Sequence, residues 1–454
     1  MDENTTEKIK NLKKTLASWS RRRLTIIGKI IVVKQLGLSQ LIHVIQSIGL
    51  KQKVIKEIEK IFFAFLWKSN SEKNTRVIER VKRETLCNEL QMGGLCMINI
   101  VAFQQSFFLG WAEELMCIDF RDWKTAAIDC LRCVGGRAAF HSNLRAKDFK
   151  GLNNIKNSFW QLVLRTWLDH RASITSDPDK LTENTPLLNN KNIRYKNSVL
   201  FFRELIDKGI VYVKDLILDN LFVTYDYFKT LLNHPKAILI YNCLYNALKR
   251  VYPFLFHSTQ VNLDYNEEHI LTDNEYIRVG RKTYYKSLRP NSESYIENYW
   301  SRVFQKPFEK KSWMVAFDCT KEVRLQELHW KILMKIYPTS IMLTRMKIKR
   351  SDLCEHCGIQ DTLQHFFFYC KKSHKLWEEI QSIISLNIYK NAILNVESII
   401  FGVFPSGRVT QTIANKINLL ILLGKLSISK SKYGSRVNPI IIFQNELSLR
   451  QLYQ

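Results

Sequence analysis

The segment from Cys354 to Cys370 carries a Cys-x2-Cys-x7-His-x4-Cys array made of Cys354, Cys357, His365 and Cys370. A structural Zn²⁺ takes four nitrogen or sulfur ligands in a tetrahedron, with sulfur at about 2.3 Å and imidazole nitrogen at about 2.0–2.1 Å. Two cysteines separated by two residues fit one tight turn, and Gly358 directly after Cys357 lets that turn close without a Cβ clash. The spacing of His365 and Cys370 suits a short helical or looped second half. His356, inside the first turn, and His374, past the last cysteine, are alternative donors in place of His365. Four protein ligands leave no position open for water, so the array predicts a structural Zn²⁺ whose binding contributes folding energy. Phe366, Phe367 and Phe368 lie inside the array and supply apolar surface to pack beneath the ion.

A chain of 454 residues leaves room for about three domains, and 46% hydrophobic with 24% charged residues suits folded cores. The charge is the unusual quantity. Lys and Arg number 68 against 42 Asp and Glu, a net +26. Such an excess points to a polyanionic partner, either nucleic acid or an anionic membrane surface. Uncharged apolar runs such as Leu419 to Leu423 fall far short of the ~20 residues a membrane-spanning helix needs. The amino terminus is acidic and polar, unlike a secretory signal. Ten cysteines without such a signal fit a reducing compartment. The expected location is nucleus or cytoplasm, neither secreted nor transmembrane.

The first part reads as a basic helical bundle. Ile9, Leu12, Leu16 and Trp19 recur at helical spacing, and a second run extends from Ile30 to Leu36. A third helix places Val54, Ile55, Ile58, Ile61, Phe62, Phe65 and Leu66 on one face and Lys56, Glu57, Glu59 and Lys60 on the other. Arg21, Arg22 and Arg23 precede the second run. The spacing of Arg22 with Lys29, and of Arg23 with Lys34, predicts a shared helix face able to track phosphates. Gly93 and Gly94 predict a tight turn with φ > 0, followed by a helix through Phe107, Phe108 and Trp111.

The middle of the chain is expected to be a connecting region, α or mixed α/β, with polar linkers near residues 173–192 and 258–295. Cys130 and Cys133 are expected to be core cysteines, and the aromatic residues of 195–232 to be core packing. Gly209 is placed to cap a helix ahead of a strand-like run from Ile210 to Val213. A helix from Val323 to Ile336 then feeds the metal segment. After it, Lys371 and Lys372 precede an amphipathic helix through Trp377, Ile380 and Ile383, and a buried helix is predicted at Ile417 to Leu423. Lys425, Lys430 and Lys432 follow and are assigned as further contacts to a nucleic-acid backbone.

The ordered set Trp19, Arg22-Arg23-Leu24, Gly28-Lys29, Lys34, Phe65-Leu66-Trp67, Gly93-Gly94-Leu95 and Trp111 resembles the thumb segment of LINE-type non-LTR retrotransposon reverse transcriptases. That family also ends in a Cys-Cys-His-Cys array followed by a tryptophan, matched here by Cys354, Cys357, His365, Cys370 and Trp377. The resemblance implies a helical grip on a template–primer duplex, a wrist-like connection and a zinc-bearing terminal domain. It also implies element RNA as one partner, in a ribonucleoprotein. The family's polymerases carry an aromatic-x-Asp-Asp motif that holds two Mg²⁺ ions, and no Asp-Asp dipeptide occurs in this sequence. The chain therefore looks like the carboxy-terminal half of such an enzyme without its palm or its nuclease.

The resulting expectation is a mainly α protein in three parts: a thumb-like bundle at 1–115, a wrist-like region at 116–340 and a small zinc-stabilised domain at 341–454. Its expected role is to bind RNA or DNA without catalysis and without a small-molecule substrate. The rival expectations are reverse transcription completed by a palm on a separate chain, and a zinc-bearing protein-interaction module.

Overall fold

A capped helix organises the amino-terminal segment of the computed structural model, which describes residues 3–67, 77–117, 119, 121–170, 181–182, 184–257, 279–289, 295–435 and 437–451. Thr25 adopts an extended conformation and its Oγ1 accepts from the Gly28 N–H at 3.0 Å, starting the helix Ile26–Val32. A second acceptor comes from far along the chain. Glu327, buried on the helix Val323–Leu333, accepts from the Ile26 N–H at 2.8 Å. A carboxylate at a helix N-terminus satisfies an orphan donor and complements the helix dipole.

The described residues are mainly helical. Two compact units form, each from sequence-distant segments: residues 1–41, 56–99 and 289–454 in one, and 42–55 and 100–288 in the other. These boundaries do not fall at residues 115 and 340. The reason is that the helix Val323–Leu333 packs on the helix Ile26–Val32, and Trp313 and Trp330 close on the turn at Gly93.

In the first unit, the Gly93-Gly94 turn shows how close that covering is. Gly93 has φ +76° and a Cβ there would meet the Trp313 indole at 2.8 Å. Its carbonyl accepts from the Trp330 Nε1–H at 2.9 Å. A Cβ on Gly94 would lie 2.0 Å from the Asn88 carbonyl oxygen, so no other residue fits. The helix Gln411–Lys430 forms the centre of the carboxy-terminal region, with Ile417, Leu420, Ile421, Leu422, Leu423 and Ile428 all buried. It packs against the helices Val323–Leu333, Lys371–Asn387 and Pro439–Gln451.

The second unit holds two apolar clusters. One gathers Phe108, Leu131, Phe140, Trp160, Leu164 and Trp167, and the other Leu187, Leu205, Val213, Phe228, Leu244 and Leu255. Among the aromatic residues of 195–232, Phe222 and Phe228 lie in this core and Tyr195, Phe201 and Phe202 pack against it, while Tyr227 is exposed. Strand structure among the described residues is limited to two short antiparallel hairpins and isolated bridges. Lys196-Asn197 and Asp219-Asn220 turn the hairpins with positive φ at both positions, the primed geometry that matches strand twist. The strand expected at Ile210 to Val213 is instead a single bridge from Tyr212 to Pro186 followed by a 3₁₀ turn, while Gly209 does adopt φ +76° after the helix Arg203–Asp207.

The expected linkers are only partly described. Residues 173–180 and 183 lie outside the described residues, but Leu187, Leu188, Asn189 and Asn190 are buried. Residues 258–278 and 290–294 also lie outside them, whereas Arg281–Leu288 is a helix packed on Ile100–Met116. There Arg281 sits over the Phe107 ring at 4.9 Å and the Tyr284 hydroxyl donates to Glu113. Both segments contain polar residues whose partners lie elsewhere in the sequence, which a composition reading cannot see.

Candidate metal centre

The array closes through two different turns. In the first, the Gly358 N–H donates to the Cys354 carbonyl at 2.9 Å and the Cys354 N–H donates to the Ile359 carbonyl at 2.8 Å. Gly358 has φ +72°, the left-handed conformation that glycine adopts without cost. Leu353 and Gln360 bridge across the base of this knuckle.

The second turn is a π turn. Thr362 starts it, its hydroxyl accepting from the His365 N–H at 3.0 Å. The Cys370 N–H then reaches back five residues to the His365 carbonyl at 2.8 Å. That wide turn brings the side chains of His365 and Cys370 to one place, and π turns of this kind recur at functional sites. Cys370 next becomes the N-cap of the helix Lys371–Asn387.

The four ligand atoms lie within 4.8 Å of one another. The sulfurs of Cys354 and Cys357 are 3.9 Å and 3.8 Å from that of Cys370. A tetrahedron with 2.3 Å metal–sulfur bonds has an edge of about 3.8 Å, so this spacing fits a single ion. His365 is buried, and neither ring nitrogen has a hydrogen-bond partner among the described residues. Buried polar nitrogens left unpaired are costly. A metal ion would satisfy one of the two nitrogens. Burial lowers the His365 pKa, nearby Lys432 lowers it further, and Asp361 opposes them. The imidazole is therefore neutral at pH 7, as ligation requires. His356 and His374 are exposed and outside the group, His374 pairing instead with Glu378 at 3.3 Å. The group can hold a metal ion, and it is the only such group among the described residues. Cys130, Cys133 and His141 form none.

Beneath the knuckle lies a small aromatic floor. Phe366 and Phe367 are buried against Tyr337, with ring centroids 5.2 Å and 4.9 Å away. The Phe366 carbonyl accepts from Ser373 Oγ at 2.8 Å, and the Phe367 carbonyl accepts from the Trp377 indole N–H. A Cβ on Gly424 would meet the Trp377 ring at 2.7 Å, so glycine lets the helix Gln411–Lys430 approach this floor. Asp361, missed by the sequence reading, is buried and accepts from the Ser340 N–H and hydroxyl at 3.0 Å and 2.9 Å. It ties the knuckle to the Thr339 turn, and its position four residues before His365 was the available signal.

The cations assigned from sequence divide sharply. Arg21, Arg22, Arg23, Lys34, Lys371 and Lys372 are exposed. Arg22 stacks its guanidinium 4.0 Å over Trp19. Arg22 and Arg23 lie in the turn before Thr25, so they share no helix face with Lys29 or Lys34. Lys34 bonds the Cys96 carbonyl at 3.3 Å. Lys29 is half-buried and donates to the Leu66 carbonyl at 3.1 Å, and desolvation lowers its pKa.

Lys425 is not a surface contact at all. It is fully buried, donating to His329 Nδ1 at 3.0 Å and to the Ile400 carbonyl at 3.3 Å. Burial pushes its pKa down to about 7. His329 Nε2–H in turn donates to the Ser312 carbonyl at 3.0 Å, which fixes the tautomer. Lys430 pairs with Glu446, and Lys432 donates to the Phe366 carbonyl at 2.8 Å, above that ring. Lys425 is thereby withdrawn from the interface, while Lys432 is half-buried and Lys430 remains exposed in its ion pair.

No protein-family model matches the chain, and no curated protein matches it. No helix among the described residues is long and apolar enough to cross a membrane.

Proposed function

We propose that this chain binds RNA or DNA through a zinc-held knuckle, in the manner of the carboxy-terminal region of the LINE-type reverse transcriptases it resembles, without polymerase chemistry of its own. The observation that carries this reading is the rim of the knuckle. Exposed Leu353, Ile359 and Tyr369 stand beside exposed Arg350, Lys371 and Lys372. Apolar and aromatic groups flanked by cations can stack on unpaired bases while neutralising the adjacent phosphates. The net charge of +26 favours the same class of partner. Zn²⁺ is the ion that Cys₃His donors at this spacing suit best, and with four protein ligands its role is structural. The absence of any Asp-Asp pair supports a binding role rather than two-metal phosphoryl transfer.

A salt titration of binding to structured RNA, single-stranded DNA and duplex DNA tests the reading. Affinity falls log-linearly with salt, and Lys371→Ala/Lys372→Ala lowers the slope by about 2. Cys354→Ser/Cys357→Ser loses the preference among the three. Failure of all three to bind at moderate salt overturns the proposal. Salt-insensitive capture of a protein ligand by the Leu353, Ile359 and Tyr369 rim would replace it with an interaction module.

A further inference from the structure

A polar cleft lies in the unit of residues 42–55 and 100–288, apart from the metal group. Its volume is about 740 Å³, within the roughly 300–1,000 Å³ range of small-molecule sites. Two loops build it, residues 142–148 and residues 191–199, and buried amides lock them together. The Asn189 side chain pairs with the backbone of Lys150 as a strand would, accepting from its N–H at 2.9 Å and donating to its carbonyl at 3.0 Å. Ser142 Oγ donates to the Asn189 carbonyl at 2.6 Å, and Asn143 Oδ1 accepts from the Lys191 N–H at 2.6 Å. Asn143 Nδ2 donates to Asn190 Oδ1 at 3.2 Å. Ser142, Asn189 and Asn190 are all buried. The cleft is thus fixed before any ligand arrives, which removes the ordering cost of binding.

Its charge is distinctive. Arg145, Lys147, Lys191 and Arg194 line it, and none makes an ion pair with a described residue, although cations elsewhere in the chain are often paired. Arg194 uses Nε on the Lys191 carbonyl at 2.7 Å, an anchor that leaves its terminal nitrogens to the cleft. Planar guanidinium groups and lysines together suit phosphate oxygens. Two carboxylates, Asp148 and Asp169, also line the cleft and can accept from N–H or O–H groups, while Asn197 at the hairpin turn adds an amide. Four cations with two acceptors and a volume well beyond a bare phosphate describe a ligand that carries both an anionic group and hydrogen-bond donors.

We infer that this cleft binds a nucleotide, either free or as one residue of a single strand. The geometry places the phosphate against Arg145, Lys147, Lys191 and Arg194, and the sugar hydroxyls or base amines toward Asp148 and Asp169. The site is separate from the knuckle and stands whether or not the knuckle binds nucleic acid.

Isothermal titration of the whole metal-loaded chain tests it with adenosine 5′-monophosphate, uridine 5′-monophosphate, inorganic phosphate and an oligodeoxythymidylate of about ten residues. The oligonucleotide arm uses the Lys371→Ala/Lys372→Ala background, which weakens the knuckle rim, and the cleft is read from the part of the remaining binding that Lys147→Glu/Lys191→Glu removes. At least one nucleotide probe binds, more tightly than phosphate. Lys147→Glu/Lys191→Glu weakens it at least tenfold, and so does Arg145→Ala/Arg194→Ala. The first pair changes two exposed lysines and leaves the buried amides intact, so an unchanged melting temperature separates lost binding from lost folding. Binding of a monophosphate marks a free-nucleotide site, and binding of the oligonucleotide alone marks a strand site. The inference is overturned if no nucleotide binds, if phosphate binds as tightly as the nucleotides, or if Lys147→Glu/Lys191→Glu binds as the wild type does.

Discussion

The knuckle and the amide-locked cleft both hold irregular loops in one conformation, by opposite means. At the knuckle, the buried ring nitrogens of His365 find no hydrogen-bond partner among the described residues and converge with three thiols whose sulfurs meet only one another. In the cleft, Asn189 and Asn190 meet their partners within the chain itself, and the side chain of Asn189 has both donor and acceptor paired. The first arrangement can take an added ion, and with one bound it would be sensitive to chelation and oxidation. The second is neutral and self-sufficient. One device suits a module whose folding is to be conditional, the other a preformed receptacle.

Removing the metal breaks the comparison most strongly. Structural zinc sites contribute roughly 10 kcal/mol and more of apparent folding energy in small units. A strong chelator should raise amide exchange across residues 352–370 by a hundredfold or more, and leave residues 186–200 as protected as before. Equal loss in both segments would show that the two are not independent.

Asn189→Ala makes the converse cut. It strips the Lys150 N–H and carbonyl of their buried partners, and places alanine at φ +52°. A loss of about 2–4 kcal/mol in urea unfolding is expected, with exchange at the knuckle unchanged.

Lys425 offers an intermediate case, satisfied by the chain yet titratable. Its folded pKa of about 7 lies below the ordinary lysine value, so above pH 7 the unfolded chain binds more protons than the folded one. Stability therefore rises with pH from about 7 to 8.5, by up to about 1.4 kcal/mol per unit. His329 acts in the same direction at lower pH. Its burial holds it neutral in the fold, so stability falls as the unfolded histidine protonates below about 6.5. Urea unfolding against pH should show this slope in the wild type, and Lys425→Met should lack the part above pH 7. Above about pH 9 the trend turns, because burial raises Cys319 to about 11 and Cys87 to about 12, and these two thiols, ionising first in the unfolded chain, outweigh the one lysine.

The smallest effect belongs to the arginine run. Arg22→Ala removes an exposed cation–π contact with Trp19 worth about 0.5–1 kcal/mol. It should leave melting almost unchanged and reduce the salt slope of nucleic-acid binding by about 1.

What the sequence revealed follows the distance over which each feature is decided. The metal group was legible because one knuckle and one π turn bring all four ligands together within a single short segment. Helices with strong apolar stripes, such as Gln52–Trp67, were legible for the same reason. Lys425 was misread because lysine is rarely buried. The warning lay in its neighbours, since Ile421, Leu422 and Ile428 cover several faces of the same helix and leave no solvent side for it. The asparagine lattice had no local signature. Asn189 and Lys150 are 39 residues apart, and polar residues just after Pro186 read as a linker until their partners are seen. The two hairpins were missed because each strand is two residues long, although Asp219-Asn220 carried a turn signal.

The carboxylate of Glu327 on the Ile26 N–H has a consequence in time as well as in space. The unit that holds residues 1–41 also needs residues 289–454. A ribosome adds roughly 5–20 residues each second, so the amino-terminal helices emerge about 10–60 s before the segment that completes them. Throughout that interval the unit of residues 42–55 and 100–288 can form first, while the helix Ile26–Val32 awaits the helix Val323–Leu333 that packs on it. For that helix pair the order of assembly runs against the order of synthesis, since the earlier-made partner waits for the later one.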